Sequence, residues 1–330
     1  MAQNSDDSDF MKHKNAGIAY NKGINSLKLS RFNEAIVAFT DAISNSPTFD
    51  LAYLQRAKAY FQLSNYKAAE NDLNQTIKLN STLGEAYFAL GYCKLSADTA
   101  SAELSYFDKA IKNAYTDPSV YYYRGVLRYI KNDLRGALDD FSSAIERKPD
   151  YLLAYFDRGN VKLNLNDYQG SIYDYRQVIA LDSTKIIVYN NMANAKIQSG
   201  DYQGSISDLD KLIKAQPDNS IAINNRGSAK YQMTDYPGAQ VDFEASLKIN
   251  DKYVPAYCNM GNVLSKLGNN KAALEQFNKA IELNSAYAEA YLNRGLVKEL
   301  TGDLDGACSD WNSALKLGNA NAAKYVKECK

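Results

Sequence analysis

The chain is poor in the residues that most often build catalytic and metal sites. Of 330 residues only one is histidine, His13, and four are cysteine. His13 lies in the N-terminal segment, away from any core, which argues against an imidazole-based triad and a histidine-ligated metal site. Charge of one sign is also missing. Lysine plus arginine number 38 and aspartate plus glutamate number 38, so no cationic excess awaits a polyphosphate, and nucleic acid is not the expected partner. Hydrophobic runs of 18 or more residues are absent and mean hydropathy is −0.44, so no membrane insertion is expected. No P-loop, G-x-G-x-x-G, C-x-x-C or H-E-x-x-H motif occurs. Neither an enzyme nor a bound cofactor or metal is therefore expected.

What is present is repetition. Written in rows of 34 from Ala16, the sequence gives nine rows that end at Asn321 without an insertion or deletion. Position 8 of the row is small throughout: Gly23, Ala57, Gly91, Gly125, Gly159, Ala193, Gly227, Gly261 and Gly295. Position 4 is tyrosine in seven rows, position 24 is large and apolar or aromatic from Phe39 to Trp311, and position 28 is always Ile or Leu.

Positions 4, 8 and 11 share one face of a first helix, and positions 20, 24, 27 and 28 share one face of a second, as a 3.6-residue period requires. Between them, Asn132-Asp133, Asn166-Asp167, Gly200-Asp201, Gly268-Asn269 and Gly302-Asp303 predict a tight turn followed by a helix N-cap. Each row is thus a helical hairpin. One hairpin cannot bury both of its faces, so neighbours must stack into a solenoid.

The pattern resembles the tetratricopeptide repeat (TPR), with an aromatic residue at 4, small residues at 8, 20 and 27, a ring at 24 and often proline at 32, here Pro47, Pro149 and Pro217. The resemblance covers residues 16–321. It implies an all-α, right-handed superhelical solenoid of nine hairpins, preceded by residues 1–15 (a tail and the start of the first helix) and closed by a capping helix over 322–330. The third row departs most: Glu103 replaces the small residue at position 20 and the Gly/Asn turn is missing, which predicts looser packing there.

The resemblance also implies a role: a non-enzymatic scaffold that holds a protein or extended peptide on the concave face lined by the first helices. Positions 2, 5, 6, 9, 12 and 13 face such a partner in the family. Here they are aromatic in rows one to five, with Tyr20, Phe61, Phe88, Tyr92, Tyr122, Tyr123, Tyr129 and Phe156, and rich in amides in rows five to nine, with Asn160, Asn190, Asn191, Asn194, Asn224, Asn225, Asn259, Asn262 and Asn293. Position 6 alone reads Asn191, Asn225, Asn259, Asn293, which resembles the asparagine ladder of the TPR superhelix in O-GlcNAc transferase. An amide both donates and accepts, so such a ladder can pair with peptide backbone whatever the side chains. The competing reading has the amides bonding neighbouring helices and the rings packing between them. The chaperone-type carboxylate clamp is excluded, since position 5 is never basic. Glycan binding on the groove rings is the alternative function, and self-assembly through the end faces, with a homodimer as its product, is a third.

Arginine at position 7 (Arg56, Arg124, Arg158, Arg226, Arg294) occurs in rows that carry aspartate at position 23 (Asp72, Asp140, Asp174, Asp242, Asp310). The pairing predicts an Arg–Asp bridge within each hairpin in preference to a cationic ligand stripe.

At the ends, Met1-Ala2-Gln3 resembles the residues that flank a bacterial signal-peptidase cut, and Ser5 to Asp9 predict a disordered tail before a helix begins near Ser8 to Phe10. Cys308 and Cys329 lie symmetrically about Gly318-Asn319, so antiparallel helices would bring them to one height. They form a disulfide candidate, with two buried free thiols as the other reading. The close of the chain resembles that of exported TPR proteins of Gram-negative bacteria. The expectation is a periplasmic or secreted protein whose signal has been removed, with the cytoplasm as the alternative.

Overall fold

The computed structural model describes residues 2–99 and 102–329, with side chains from Phe10 onward. The described residues contain helices and no strand, and they form two compact units, Met1–Leu165 and Asn166–Lys330. The first contains α1 (Ala2–Lys28), α2 (Phe32–Asn45), α3 (Asp50–Gln62), α4 (Tyr66–Leu79), α5 (Gly84–Ala97), α6 (Leu104–Lys112), α7 (Pro118–Ile130), α8 (Leu134–Arg147) and α9 (Leu152–Asn164). The second contains α10 (Tyr168–Leu181), α11 (Val188–Gln198), α12 (Tyr202–Ala215), α13 (Ser220–Gln232), α14 (Tyr236–Ile249), α15 (Val254–Lys266), α16 (Asn270–Leu283), α17 (Ala288–Leu300), α18 (Leu304–Lys316), a 3-10 turn at Ala320–Ala322 and α19 (Ala323–Val326).

Within each unit, a first helix packs on the second helix of its own repeat, on the second helix of the repeat before, and on the neighbouring first helices. The turn inside each hairpin works as its residues dictate. Outside the third repeat, where Asp98 is extended, position 15 takes the left-handed conformation (Ser64 at φ 57°, Asn132 at 62°, Gly268 at 82°, Gly302 at 86°). Position 16 then caps the second helix: Asp133 accepts from the Gly136 N–H at 3.0 Å, Asp201 from Gly204 at 2.9 Å and Asp303 from Gly306 at 3.0 Å. The core repeats as a ring from position 24 set against the small residue of position 8. Phe39, Phe107, Phe141, Phe243 and Phe277 are all fully buried. A Cβ at Gly227 would lie 2.7 Å from the Phe243 ring, so the close helix approach depends on the missing side chain.

Three details differ from the sequence expectation. The first helix begins at Ala2, not near Ser8 to Phe10, and it carries the exposed His13; no proline or glycine interrupts residues 2–15 to stop it. The chain closes with a 3-10 turn and a single α-helical turn in place of a helix over 322–330, because Asn319 turns its side chain onto the Asn321 N–H and starts the tight turn there; Lys330 lies outside the described residues. In the third repeat, α6 is nine residues long against 14 for α4 and α8. Glu103 stands exposed and extended at its N-cap while Ala102 is buried. A carboxylate cannot enter the tight position-20 contact, so the helix starts only at Leu104, position 21 of its repeat, where α4 and α8 start at position 17.

Candidate functional site

The first helices of the amino-terminal unit bring their rings together. Phe61 and Tyr92 lie 5.0 Å apart between ring centroids, Tyr92 and Tyr123 4.4 Å, Phe88 and Tyr115 5.1 Å, and Tyr122 and Tyr151 5.0 Å. Beside this cluster opens a cavity of about 690 Å³, lined by Phe61, Phe88, Tyr92 and Tyr115 and by the charged groups of Lys58, Glu85 and Asp117. Lys58 Nζ meets Glu85 Oε1 at 2.6 Å across neighbouring repeats. Only some of these residues were legible beforehand. Phe88, Tyr92 and Phe61 stand at groove positions 5, 9 and 12; Lys58 and Glu85, at positions 9 and 2, carry a complementary charge pattern that could have been read. Tyr115 and Asp117 come from the link between α6 and α7, at positions 32 and 34, where no helical period points.

Burial shapes the chemistry of the cluster. It raises the Tyr115 phenol to about 12, with the Asp117 carboxylate adding to the shift, and raises Tyr151 to about 12 for the same two reasons. Tyr122 is 7% exposed, and its hydroxyl donates to Asp157 Oδ2 at 2.8 Å. Desolvation, and then that carboxylate, holds the Tyr122 phenol far above the ordinary range, while Asp157 is raised by its own burial against hydrogen bonds from Tyr122 and Asn160. Tyr122 is therefore a packing residue rather than an open contact. Tyr20 packs on Phe39 and Phe49 at 5.7 and 4.9 Å, and Tyr123 also turns its ring onto Tyr92 and Tyr122. Phe156 is partly buried on α9. Phe88 and Tyr92 are half-buried and line the cavity, while Tyr122 is buried among the rings of Tyr123, Phe141 and Tyr151.

In the carboxy-terminal unit the amides divide into two groups. Asn225 Nδ2 donates to Asn190 Oδ1 at 2.8 Å and Asn259 Nδ2 to Asn224 Oδ1 at 3.0 Å, each bond spanning 35 residues from one first helix to the next. Asn224, 3% exposed, also donates to Asn225 at 3.2 Å. Asn293 points its Nδ2 at Cys258 Sγ, 3.5 Å away. Positions 5 and 6 are therefore spent largely on joining helices. Position 9 differs: Asn194 is exposed, Asn262 is half-buried, and neither has a hydrogen-bond partner among the described residues. Asn262 lines a cavity of about 530 Å³ with Asn293, Lys266 and Glu299. Asn191 is half-buried on α11.

The arginines at position 7 bridge more than one hairpin. Arg56 Nε reaches Asp72 Oδ2 at 2.7 Å, Arg226 Nη2 reaches Asp242 Oδ1 at 2.6 Å, and Arg294 Nη2 reaches Asp310 Oδ1 at 2.6 Å. The same guanidinium also reaches back to position 25 of the preceding repeat, from Arg56 to Thr40 at 2.9 Å, Arg124 to Asp108 at 2.7 Å and Arg158 to Ser142 at 3.1 Å. A cation at position 11 supplies a second partner to the buried aspartate, as Arg128 does for Asp140 and Lys298 for Asp310. These aspartates are held in ion pairs inside the packing.

Cys93 and Cys258 are free and buried, and burial pushes their thiols up to about 11 and about 12. Cys308 and Cys329 are joined by a disulfide, their Cα atoms 5.7 Å apart. Among the described residues no group of three His, Cys, Asp or Glu side chains could hold a metal, and no helix is long and apolar enough to cross a membrane.

Comparison with known proteins agrees with this architecture. Models described as tetratricopeptide repeat match residues 54–118, 122–185 and 186–219, and one described as TPR repeat matches 261–302. RNA polymerase II-associated protein 3 of Xenopus tropicalis is 28% identical over 114 residues, which are 34% of this chain and 17% of that protein; the Xenopus laevis protein is 27% identical over 113 residues, again 17% of its length. The match thus spans about a sixth of these relatives. A tetratricopeptide repeat protein from Parabacteroides merdae superposes with a TM-score of 0.53 at 17% identity, covering 78% of this chain and 98% of that one. The APC/C hetero-tetramer Cut9–Hcn1 gives 0.56 at 14% identity, covering 95% of this chain and 76% of that one. At such identities the likeness is one of fold.

Proposed function

Since the chain belongs to the tetratricopeptide repeat family, whose members are scaffolds for protein–protein interaction, we propose that it is a non-enzymatic scaffold that grips an extended segment of a protein partner on its first-helix faces. The observation that carries this reading is the cavity of about 690 Å³ on α3 and α5, walled by Phe61, Phe88, Tyr92 and Tyr115. A pocket of that size accepts one large apolar side chain as an anchor. Glu85 is paired with Lys58 at its wall, and Asp117 beside them favours a basic residue next to that anchor. In the second unit, Asn194 and Asn262 keep donor and acceptor capacity for peptide backbone, while the paired amides of positions 5 and 6 hold the helices in place.

An oxidising location, periplasmic or outside the cell, is part of the proposal. The Cys308–Cys329 bond supports it, because disulfides persist where thiols are not kept reduced.

Side-by-side capture of partners by the wild-type chain and by Phe88→Ala tests the scaffold reading. A partner bound by the wild type should be lost from the variant while the variant's melting temperature stays within a few degrees. Retention of every partner by the variant would remove the cavity from the proposal. Trapping free thiols in the native source tests the location: alkylation of Cys308 and Cys329 there would argue for the cytoplasm.

A further inference from the structure

Among the repeats with aspartate at position 23, the sixth alone lacks arginine at position 7, and this leaves charge over. Where position 7 is arginine, its guanidinium lies between aspartate 23 of its own repeat and an acceptor at position 25 of the repeat before. Arg226, for example, meets Asp242 at 2.6 Å and Asp210 at 2.7 Å. In the sixth repeat position 7 is Met192, 3% exposed, while position 25 of the repeat before is Arg176, a cation where its counterparts are Thr40, Asp108, Ser142, Asp210 and Asn278. The aspartate at position 23 is nevertheless kept. Asp208 is 3% exposed and takes Lys196 Nζ at 2.5 Å and Lys211 Nζ at 3.4 Å.

The space that the missing guanidinium would fill is open. A cavity of about 340 Å³ lies there, lined by Arg176, Tyr189, Lys196, Ser207, Asp208 and Lys211 among others. Lys196 is committed, for besides Asp208 it donates to the Gly204 carbonyl at 3.2 Å. Lys211 rides over the Tyr189 ring with Nζ 5.3 Å from its centroid, which holds the ammonium at the mouth. Arg176 is exposed and has neither an ion pair nor a hydrogen bond among the described residues.

We propose that this cavity binds a phosphomonoester group carried on a side chain of a protein partner. Three cations stand against one carboxylate, so the site holds a net charge of two, which matches the near-dianion of a phosphorylated hydroxyl at neutral pH. A carboxylate would leave half of that charge uncompensated. Arg176 supplies the planar fork that suits two phosphate oxygens, Lys211 a mobile ammonium, and Ser207 a neutral hydroxyl donor. The cavity exceeds the bulk of a phosphate alone and leaves room for the side chain that carries it. The site lies between α10, α11 and α12 and is independent of the aromatic cavity on α3 and α5.

Isothermal titration of the full chain at pH 7.5 tests this with an acetylated Gly-phosphoserine-Gly amide, the same peptide unphosphorylated, and inorganic phosphate. The phosphopeptide should bind and the plain peptide should not, with Arg176→Ala and Lys211→Ala each weakening binding at least tenfold. Met192→Arg combined with Arg176→Asp rebuilds the arrangement of the seventh repeat; it should melt no lower than the wild type and lose phosphopeptide binding altogether. No binding by the wild type, or undiminished binding by Arg176→Ala and the rebuilt variant, overturns the site. Inorganic phosphate that binds as tightly as the phosphopeptide overturns the protein-borne source and assigns the same residues to the free anion.

Discussion

Gly261 approaches Phe277 so closely that a Cβ on the glycine would stand 2.6 Å from the ring's Cε1. The relation is written into all nine repeats. Each glycine at position 8 is matched by a ring at position 24, and the two alanines there, Ala57 and Ala193, are matched by the smaller Leu73 and Leu209. Helix separation is therefore conserved by exchanging volume across the contact. Gly261→Ala should destabilise the eighth hairpin by ~1–3 kcal/mol through overpacking, and Phe277→Leu in the same chain should recover most of the loss. Because repeat arrays open locally, hydrogen exchange of α15 and α16 amides is the suitable measurement; equal protection in Gly261→Ala and the wild type would contradict the close contact.

The amides of the second unit should separate by position. Asn225→Ala removes the donor to Asn190 and is expected to cost ~0.5–1.5 kcal/mol of stability. Asn262→Ala, with no hydrogen bond to lose among the described residues, should leave the melting temperature nearly unchanged and weaken partner binding instead. Thermal melts of the two variants, run beside binding of any captured partner, check both halves.

Alkaline pH should destabilise the amino-terminal unit as its partly buried phenols titrate. Tyr115 and Tyr151 have folded phenol values of about 12, above the ordinary value of about 10. The folded state keeps protons that the unfolded chain sheds, so the stability these phenols lend is complete below pH ~10 and is lost as pH rises toward 12. Phenolate absorbance and helical circular dichroism should change together in that window. Tyr115→Phe with Tyr151→Phe should move the transition upward, and an unmoved midpoint would assign it to other groups.

The disulfide should act on the closing segment alone. Trp311, the single tryptophan, stacks on Tyr325 with ring centroids 5.0 Å apart, and the Cys308–Cys329 bond holds that segment down. Cys308→Ser with Cys329→Ser should forfeit at most ~3 kcal/mol of loop-closure entropy, shift Trp311 fluorescence to the red and leave far-ultraviolet helicity almost intact. An unchanged emission spectrum would mean that the segment stays docked without its bond.

Repeat length, the two-helix form of each repeat and the hairpin turns were legible in the sequence because they depend on local periods and on single residues such as Asp133 and Gly268, whose conformational demands act within a few positions. The Arg–Asp pairing was legible too, since positions 7 and 23 recur together. Tertiary structure alone decided how those groups are shared. The reach of Arg226 to Asp210 in the preceding repeat, and the second cation that Lys298 brings to Asp310, depend on how hairpins stack, which no period inside one hairpin encodes. The same holds for the amides: asparagines of positions 6 and 9 look alike in sequence, yet Asn225 hydrogen-bonds Asn190 while Asn262 has no hydrogen-bond partner among the described residues, because the two positions turn toward different surfaces. It holds again for Tyr115 and Asp117, which reach the aromatic cavity from a link whose path is set by the packing of α6 and α7 rather than by any propensity of its own.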